Sequence, residues 1–228
     1  FYYINFVFFF ANEITQGEIL MEYLKYLIPL IAYILGTFPS AYLIVKMASK
    51  RDILKAGTGN AGAMNSYEVT GRKEIGLVVF VLDMLKGYFA VMIALELTRN
   101  DFLWAAIAAV ASVLGHNFNI WYKFKGGRGL ATAAGALMQI NIIGILAWGI
   151  IWLPFYYILK KEVHAGNILA TILAPVAVFI IPYSFLSRFD IFVFEKGEYF
   201  YLILALGIVI MLRHIKPLRE LMNKNKIF

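Results

Sequence analysis

Residues 75–97 read IGLVVFVLDMLKGYFAVMIALEL. As an α-helix rising about 1.5 Å per residue, this stretch is long enough to cross the roughly 30 Å of hydrocarbon in a bilayer. Asp83 and Lys86 lie in its middle, three residues apart and therefore on one helix face. Charges at that depth are costly and face either a partner or a wet cavity. The pair reads equally well as a functional site or as a self-neutralising couple that orients helices.

The rest of the chain agrees with a membrane setting. Apolar residues make up 61% of the sequence and charged ones 15%, against about 45–50% and about 25% in soluble domains. Further apolar segments fall at 24–46, 102–116, 129–140, 142–159, 164–187 and 199–212. These predict an all-α polytopic membrane protein with about seven transmembrane helices. The segments 102–116 and 129–140 are short for full spans and flank HNFNIWYKFKGGRG, residues 116–129. Non-helical backbone at membrane depth must be buried in protein or line a wet cavity. Residues 21–228 read as a single integral-membrane domain. The opening FYYINFVFFF is too short to span and has no basic flank before it, a poor match to a signal peptide. Residues 1–20 are therefore set apart as an extension of unknown role.

The net charge of +7 points to topology rather than to nucleic acid, because the basic residues cluster in short loops. Sixteen of the 21 Lys and Arg fall in four stretches: 46–74, 117–128, 160–161 and the tail from Arg213 onward. Only Lys25, Arg99, Arg188 and Lys196 fall on the other side, and Lys86 lies inside a span. The positive-inside rule then puts the N-terminus outside and the C-terminus in the cytoplasm. With no Cys in the chain, thiolate catalysis and Cys-based metal sites are excluded. His116, His164 and His214 form no ligand motif, so neither a metal nor a cofactor is expected.

Two glycine-rich loops stand on the basic side. Residues 55–66, KAGTGNAGAMNS, place Gly57, Gly59 and Gly62 in a G-x-G-x-x-G pattern. No strand precedes it, so a dinucleotide fold is ruled out. Glycines still let successive N–H groups curl around an anion, and Asn60 and Asn65 add side-chain donors. An ordinary turn-rich loop is an equal alternative. In residues 115–132, GHNFNIWYKFKGGRGLAT, the glycines 126, 127 and 129 bracket Arg128 just before a helix start. Free N–H groups and a guanidinium converge well on a phosphate there, although contact with lipid headgroups is the simpler possibility. His116 is a candidate general base, while a lone His is more often structural. Trp148, Trp152, Tyr156 and Tyr157 read as interfacial or packing aromatics.

At these motifs the chain resembles the PlsY-type acyl-phosphate:glycerol-3-phosphate acyltransferases of bacteria. The resemblance runs from about Leu35 to Arg213. It rests on Gly36-Thr37-Phe38-Pro39, on Gly57-Thr58-Gly59-Asn60-Ala61-Gly62-Ala63-Met64-Asn65, and on Asp83, Lys86 and Gly87. It continues through Gly115-His116, Phe118, Phe124, Gly126-Gly127-Arg128-Gly129, Ala131-Thr132 and Arg213-His214. The chain departs from the family pattern at Thr37 (Ser), Leu54 (basic), Met64 (Thr), Arg128 (Lys), His164 and Asn167 (both Ser) and Pro217 (Asn).

The resemblance implies a multi-pass protein of the bacterial inner membrane, working as a monomer among membrane lipids. It implies acyl transfer from acyl phosphate to the 1-hydroxyl of glycerol 3-phosphate, giving lysophosphatidic acid and phosphate in phospholipid biosynthesis. It assigns catalysis to Thr37, Asp83, Lys86 and His116. Phosphate binding falls to Lys55, Gly57, Thr58, Gly59, Asn60, Gly62, Asn65, Gly126, Gly127, Arg128, Gly129, Thr132, His164, Asn167, Arg213 and His214. A mixed anhydride is already activated, so orientation and charge neutralisation are sufficient, without a covalent intermediate. Three alternatives stay open: a transporter of phosphorylated solutes, against which the lack of a visible internal repeat speaks, an inactive or regulatory relative, and a relative that acylates a different polyol phosphate.

The charge asymmetry makes a direct prediction. In this Cys-free chain, a cysteine placed at position 190 is labelled by a membrane-impermeant reagent from outside intact cells, and one at position 224 only after the membrane is opened. The reverse pattern would overturn the orientation.

Overall fold

Backbone inside a bilayer must satisfy its own hydrogen bonds, and helices do so within a single segment. The computed structural model describes residues 22–223, and across them the regular structure is helical with no strand. The helices are α1 (Ile28–Gly36), α2 (Ser40–Ser49), α3 (Ala63–Thr70), α4 (Lys73–Thr98), α5 (Phe102–Asn117), α6 (Leu130–Leu137), α7 (Ile143–Ile158), α8 (Val163–Ile180), α9 (Tyr183–Leu186) and α10 (Lys196–Asn223). Five stretches are long and apolar enough to cross a membrane: Glu22–Ser49, Lys73–Thr98, Phe102–Tyr122, Val163–Ile180 and Lys196–Asn223. The helix Ile143–Ile158 is apolar but shorter. The all-α polytopic class expected from sequence is the class observed. Residues 1–20, set apart above, lie outside the described residues.

Several expected boundaries move. The span 24–46 breaks at Thr37–Pro39, where Pro39 adopts φ −83°, ψ 49° and α2 restarts after it. The segment 129–140 yields only the eight-residue α6, about 12 Å of helix and too short for a full span. The segment 164–187 stops at Ile180, because Ile181 precedes a proline and takes an extended conformation (φ −57°, ψ 128°). The segment 199–212 grows to Lys196–Asn223. Hydropathy ends a span where charge begins, whereas the helix continues through Arg213, Lys216 and Arg219.

The bundle has two distinct ends. At one, Asn141 Nδ2 donates to Leu186 O at 3.0 Å and Ile191 N–H to Ile140 O at 3.1 Å. The turn after α6 thus packs on the α8–α10 connection. Arg213, about 25 Å further along α10 from Lys196, marks the other end, where it meets Gly126 and where Arg128 meets His164. The short α6 runs between the two ends, sheltered by longer helices.

Glycine sets the closest approaches. A Cβ on Gly36 would lie 2.1 Å from Ser112 O, and one on Gly115 2.1 Å from Tyr33 O, so α1 and α5 touch backbone to backbone. Between α4 and α6 the same occurs twice: a Cβ on Gly87 would lie 1.9 Å from Thr132 O, and one on Gly135 1.9 Å from Met84 O. Small residues drive such packing in membranes, where burial against lipid gives little. Leu77, Val81, Ile150, Ile172, Phe179 and Ile208 face outward, as a lipid-contacting surface requires.

Gly87→Ala and Gly135→Ala should each destabilise the protein by about 1–3 kcal/mol, the usual cost of forcing extra atoms into a packed contact. Gly149→Ala serves as the control, since a Cβ there meets nothing within 4 Å. Thermal unfolding in detergent checks this; unchanged melting of both seam variants would refute the close-approach argument.

Candidate active site

The first glycine loop is built around one side chain. Asn65, at 2% exposure, accepts the Thr58 N–H at 2.9 Å and donates to Asn60 O at 2.9 Å and Ala56 O at 3.2 Å. Gly57 and Gly59 take left-handed φ values of +59° and +70°, which glycine allows at no steric cost. The loop ends at Gly62, and Ser66 N–H closes the first turn of α3 on Gly62 O. The N–H groups of Ala63 and Met64 then stand free at the helix start, as at any helix N-terminus. Lys55 stays on the surface, 85% exposed, with Asp52 at 4.0 Å.

The second loop, expected to bring free N–H groups and Arg128 to a phosphate, spends its glycine amides inside the protein. Gly126 N–H donates to Asn117 O at 3.1 Å and Gly127 N–H to His116 O at 3.0 Å. Arg213 donates to Gly127 O from Nε at 3.1 Å and to Gly126 O from Nη2 at 2.8 Å. The amides and carbonyls of both glycines are therefore consumed inside the protein. Gly129, at φ +83°, caps α6 and sits against Asn117. What remains for a ligand is Arg128 and the first N–H groups of α6. Arg128 Nη1 approaches His164 Nδ1 at 3.2 Å, leaving most of its donors unused. Burial, and after it the charge of Arg213, hold its pKa below the ordinary value. A bound anion relieves both penalties.

A buried polar cluster lies beside this loop. Ser40 Oγ donates to Asp83 Oδ1 at 2.6 Å, while Lys86 Nζ donates to the same oxygen at 2.7 Å and to Ser40 Oγ at 2.9 Å. Asp83 and Lys86 are 1% and 8% exposed. His116 Nδ1 stands 3.6 Å from Asp83 Oδ1, and its Nε2 lies where a Gly127 Cβ would be, 1.9 Å from that position. The imidazole is wedged between Asp83 and the loop. This geometry suits a positioning role for His116 better than that of an unencumbered general base.

One cavity of about 380 Å³ joins these parts. Asn60, Gly62, Asp83, His116, Arg128 and Gly129 line its polar end; Leu137, Ile145, Trp148, Ala174, Ile203 and Leu206 line an apolar limb. The two glycine loops, separated by α4 and α5 in sequence, thus meet at one site. Asn167 also lines the cavity, with its Oδ1 taken by Trp152 Nε1 at 2.7 Å, so its amide NH₂ is the group it can offer. Among the described residues, no set of three His, Asp or Glu side chains gathers to hold a metal.

Other expected site residues stand further back. Thr37 Oγ1 donates to Ile34 O at 2.7 Å and accepts from Trp121 Nε1 at 3.1 Å, tying it into the α1–α2 corner. Thr132 Oγ1 and His214 Nε2 are buried without a hydrogen-bond partner among the described residues, and His214 Nδ1 contacts Ile210 O at 2.9 Å. Sequence reading missed Ser40, which bridges Asp83 and Lys86, and Trp148, which lines the cavity and donates to Thr171 Oγ1 at 3.1 Å. The matching i, i+4 spacings of Trp148/Trp152 and Asn167/Thr171 on neighbouring helices were the available signal.

A family model for glycerol-3-phosphate acyltransferase matches residues 26–224. A glycerol-3-phosphate acyltransferase from Wolbachia pipientis subsp. Culex pipiens (strain wPip) is 34% identical over 199 residues, covering 87% of this chain and 95% of that protein. One from Shouchella clausii (strain KSM-K16) is 35% identical over 189 residues, covering 81% and 86%. Among solved structures, PlsY (YgiH), described as an integral membrane glycerol 3-phosphate acyltransferase, superimposes in its glycerol 3-phosphate form with a TM-score of 0.71 at 28% identity. That match covers 88% of this chain and 92% of that one. Its lysophosphatidic acid form gives a TM-score of 0.70. The family model matched over residues 26–224 and relatives matched along nearly their whole length, together with a cavity where two glycine loops meet in a helical membrane bundle, place this chain in the glycerol-3-phosphate acyltransferase family.

Proposed function

We propose that the chain moves a fatty acyl group from acyl phosphate to the 1-hydroxyl of glycerol 3-phosphate. It acts as a monomer in the bacterial inner membrane, with the Arg128 end toward the cytoplasm. The observation that carries this reading is the single cavity in which Arg128 and two helix N-termini share a wall with an apolar limb. Both substrates bear a phosphate, and one bears a hydrocarbon chain. The family membership and the substrate and product named for the PlsY crystal structures support the same reading.

In the reaction the hydroxyl oxygen bonds to the acyl carbon, the bond from that carbon to the phosphate oxygen breaks, and the hydroxyl proton ends on the released phosphate. The acyl donor is activated before it arrives. The protein's share is therefore orientation in the cavity and neutralisation of phosphate charge by fixed donors. Arg128 is the cation best placed for it, since it lines the cavity. Arg213 acts through the loop carbonyls it holds, and the Ser40–Asp83–Lys86–His116 cluster keeps that loop against α4.

Purified protein supplied with palmitoyl phosphate and glycerol 3-phosphate should release phosphate and form lysophosphatidic acid in equal amounts. Arg128→Ala should lose about 10²–10³ in turnover, as when one preorganised donor is removed, with unfolding temperature little changed. Arg128→Lys should recover much of the loss, since it restores the charge. Near-normal turnover of Arg128→Ala would refute the phosphate role.

A further inference from the structure

We infer that the apolar limb of the cavity measures the acyl chain of the donor, with Gly207 setting its bore and Ile203 and Gly144 its floor. The inference rests on the acyl-transfer reading above. Gly207 lines the limb from within α10. Glycine in a helix interior costs stability relative to alanine and usually has a packing reason. Gly36, Gly87, Gly115 and Gly135 have one, since a Cβ on each would collide with a neighbouring carbonyl. Gly207 has no such collision: its Cβ would meet Thr171 O at 3.4 Å and Thr171 Cγ2 at 3.8 Å, ordinary contact distances. Its bare backbone forms part of the cavity wall, and a side chain there is accommodated only at the edge of the limb beside Thr171.

The floor is rigid. Tyr199, fully buried, accepts the Gly144 N–H on its hydroxyl at 2.9 Å and donates to Asn141 O at 2.7 Å. Asn141 in turn accepts from Ile143 N–H at 2.8 Å and donates to Leu186 O at 3.0 Å. A Cβ on Gly144 would lie 2.6 Å from the Tyr199 hydroxyl and 2.7 Å from Ile203 Cδ1, so α7 and α10 close on each other at that level. The side wall is equally fixed: Trp148 is bonded to Thr171 and stacked on Trp152 at 6.1 Å between ring centroids. From Arg213 to Ile203, α10 advances about 15 Å. A donor whose phosphate lies at Arg128 therefore sends its terminal methyl toward a stop that yields little. A chain longer than the limb must leave methylenes outside or strain the wall, and a hydrophobic pocket discriminates single methylenes by about tenfold or more.

The test compares initial rates with decanoyl, lauroyl, myristoyl, palmitoyl and stearoyl phosphates for the wild type and for Gly207→Ala, Gly207→Val and Ile203→Ala. Size-exclusion elution and thermal unfolding confirm that each variant is folded. The Gly207 variants should raise the ratio of lauroyl to palmitoyl turnover, by about tenfold for Gly207→Val. Ile203→Ala should shift the profile the other way, toward stearoyl phosphate. Should Gly207→Val fail to fold, Gly207→Ala and Ile203→Ala decide the matter by their opposite shifts. Identical chain-length profiles in the folded variants and the wild type would overturn the ruler while leaving acyl transfer intact. A wild type that forms no acylated product with any donor would instead overturn the transfer reading, and the ruler with it.

Discussion

Irregular backbone inside a membrane protein must find its hydrogen bonds within the protein, and the glycine loop at 126–129 is where this chain meets that demand. Its amides are received by the carbonyls of His116 and Asn117 at the end of α5, and its carbonyls by Arg213. Three elements are locked together by these few bonds: α5, α10 and, through Gly129, the start of α6. Without them a non-helical turn at this depth would carry several unpaired polar groups, each costing several kcal/mol in hydrocarbon (about 2–7 by transfer measurements).

That lock determines what the site can be. Because the glycine amides are spent on the fold, the groups left facing the cavity from this loop are Arg128 and the first turn of α6. The glycine seam between α4 and α6 completes the arrangement by bringing Asp83 to the same wall, with Lys86 behind it. Asp83 and Lys86 neutralise each other through one shared carboxylate oxygen, and Ser40 takes part in the same contact. A buried pair broken on one side leaves an uncompensated charge, at about 3–5 kcal/mol. The cluster is therefore a structural brace, and through Asp83 and His116 it also bounds the cavity.

The departures from the family pattern also gain a physical meaning. His164 stands where Arg128 can donate to it, and Asn167 offers an amide to the cavity while Trp152 holds its oxygen. Arg for Lys at position 128 brings a planar guanidinium with several donors in place of a point charge. One of its guanidinium nitrogens meets His164, and the others remain without a partner among the described residues. Of the replaced residues, Arg128 and His164 touch each other, and Met64, Arg128 and Asn167 line the cavity.

The sequence by itself determined the membrane class, the charge asymmetry of the connecting loops and the segments that carry chemistry. These are properties of composition and local order: apolar runs of spanning length, basic residues grouped by side, glycines adjacent to a helix start. Only the tertiary structure decided which polar groups remain available. Asn65, expected to offer donors to an anion, spends them on its own loop, and Gly126 and Gly127 spend theirs on α5. Hydropathy misjudged α6 as well. A helix of eight residues is too short to cross a bilayer unaided, and it persists because Gly87 and Gly135 let α4 shelter it at backbone contact. Hydrogen-bond capacity is visible in a sequence, but its allocation depends on contacts between residues far apart in the chain, and those exist only once the helices have packed.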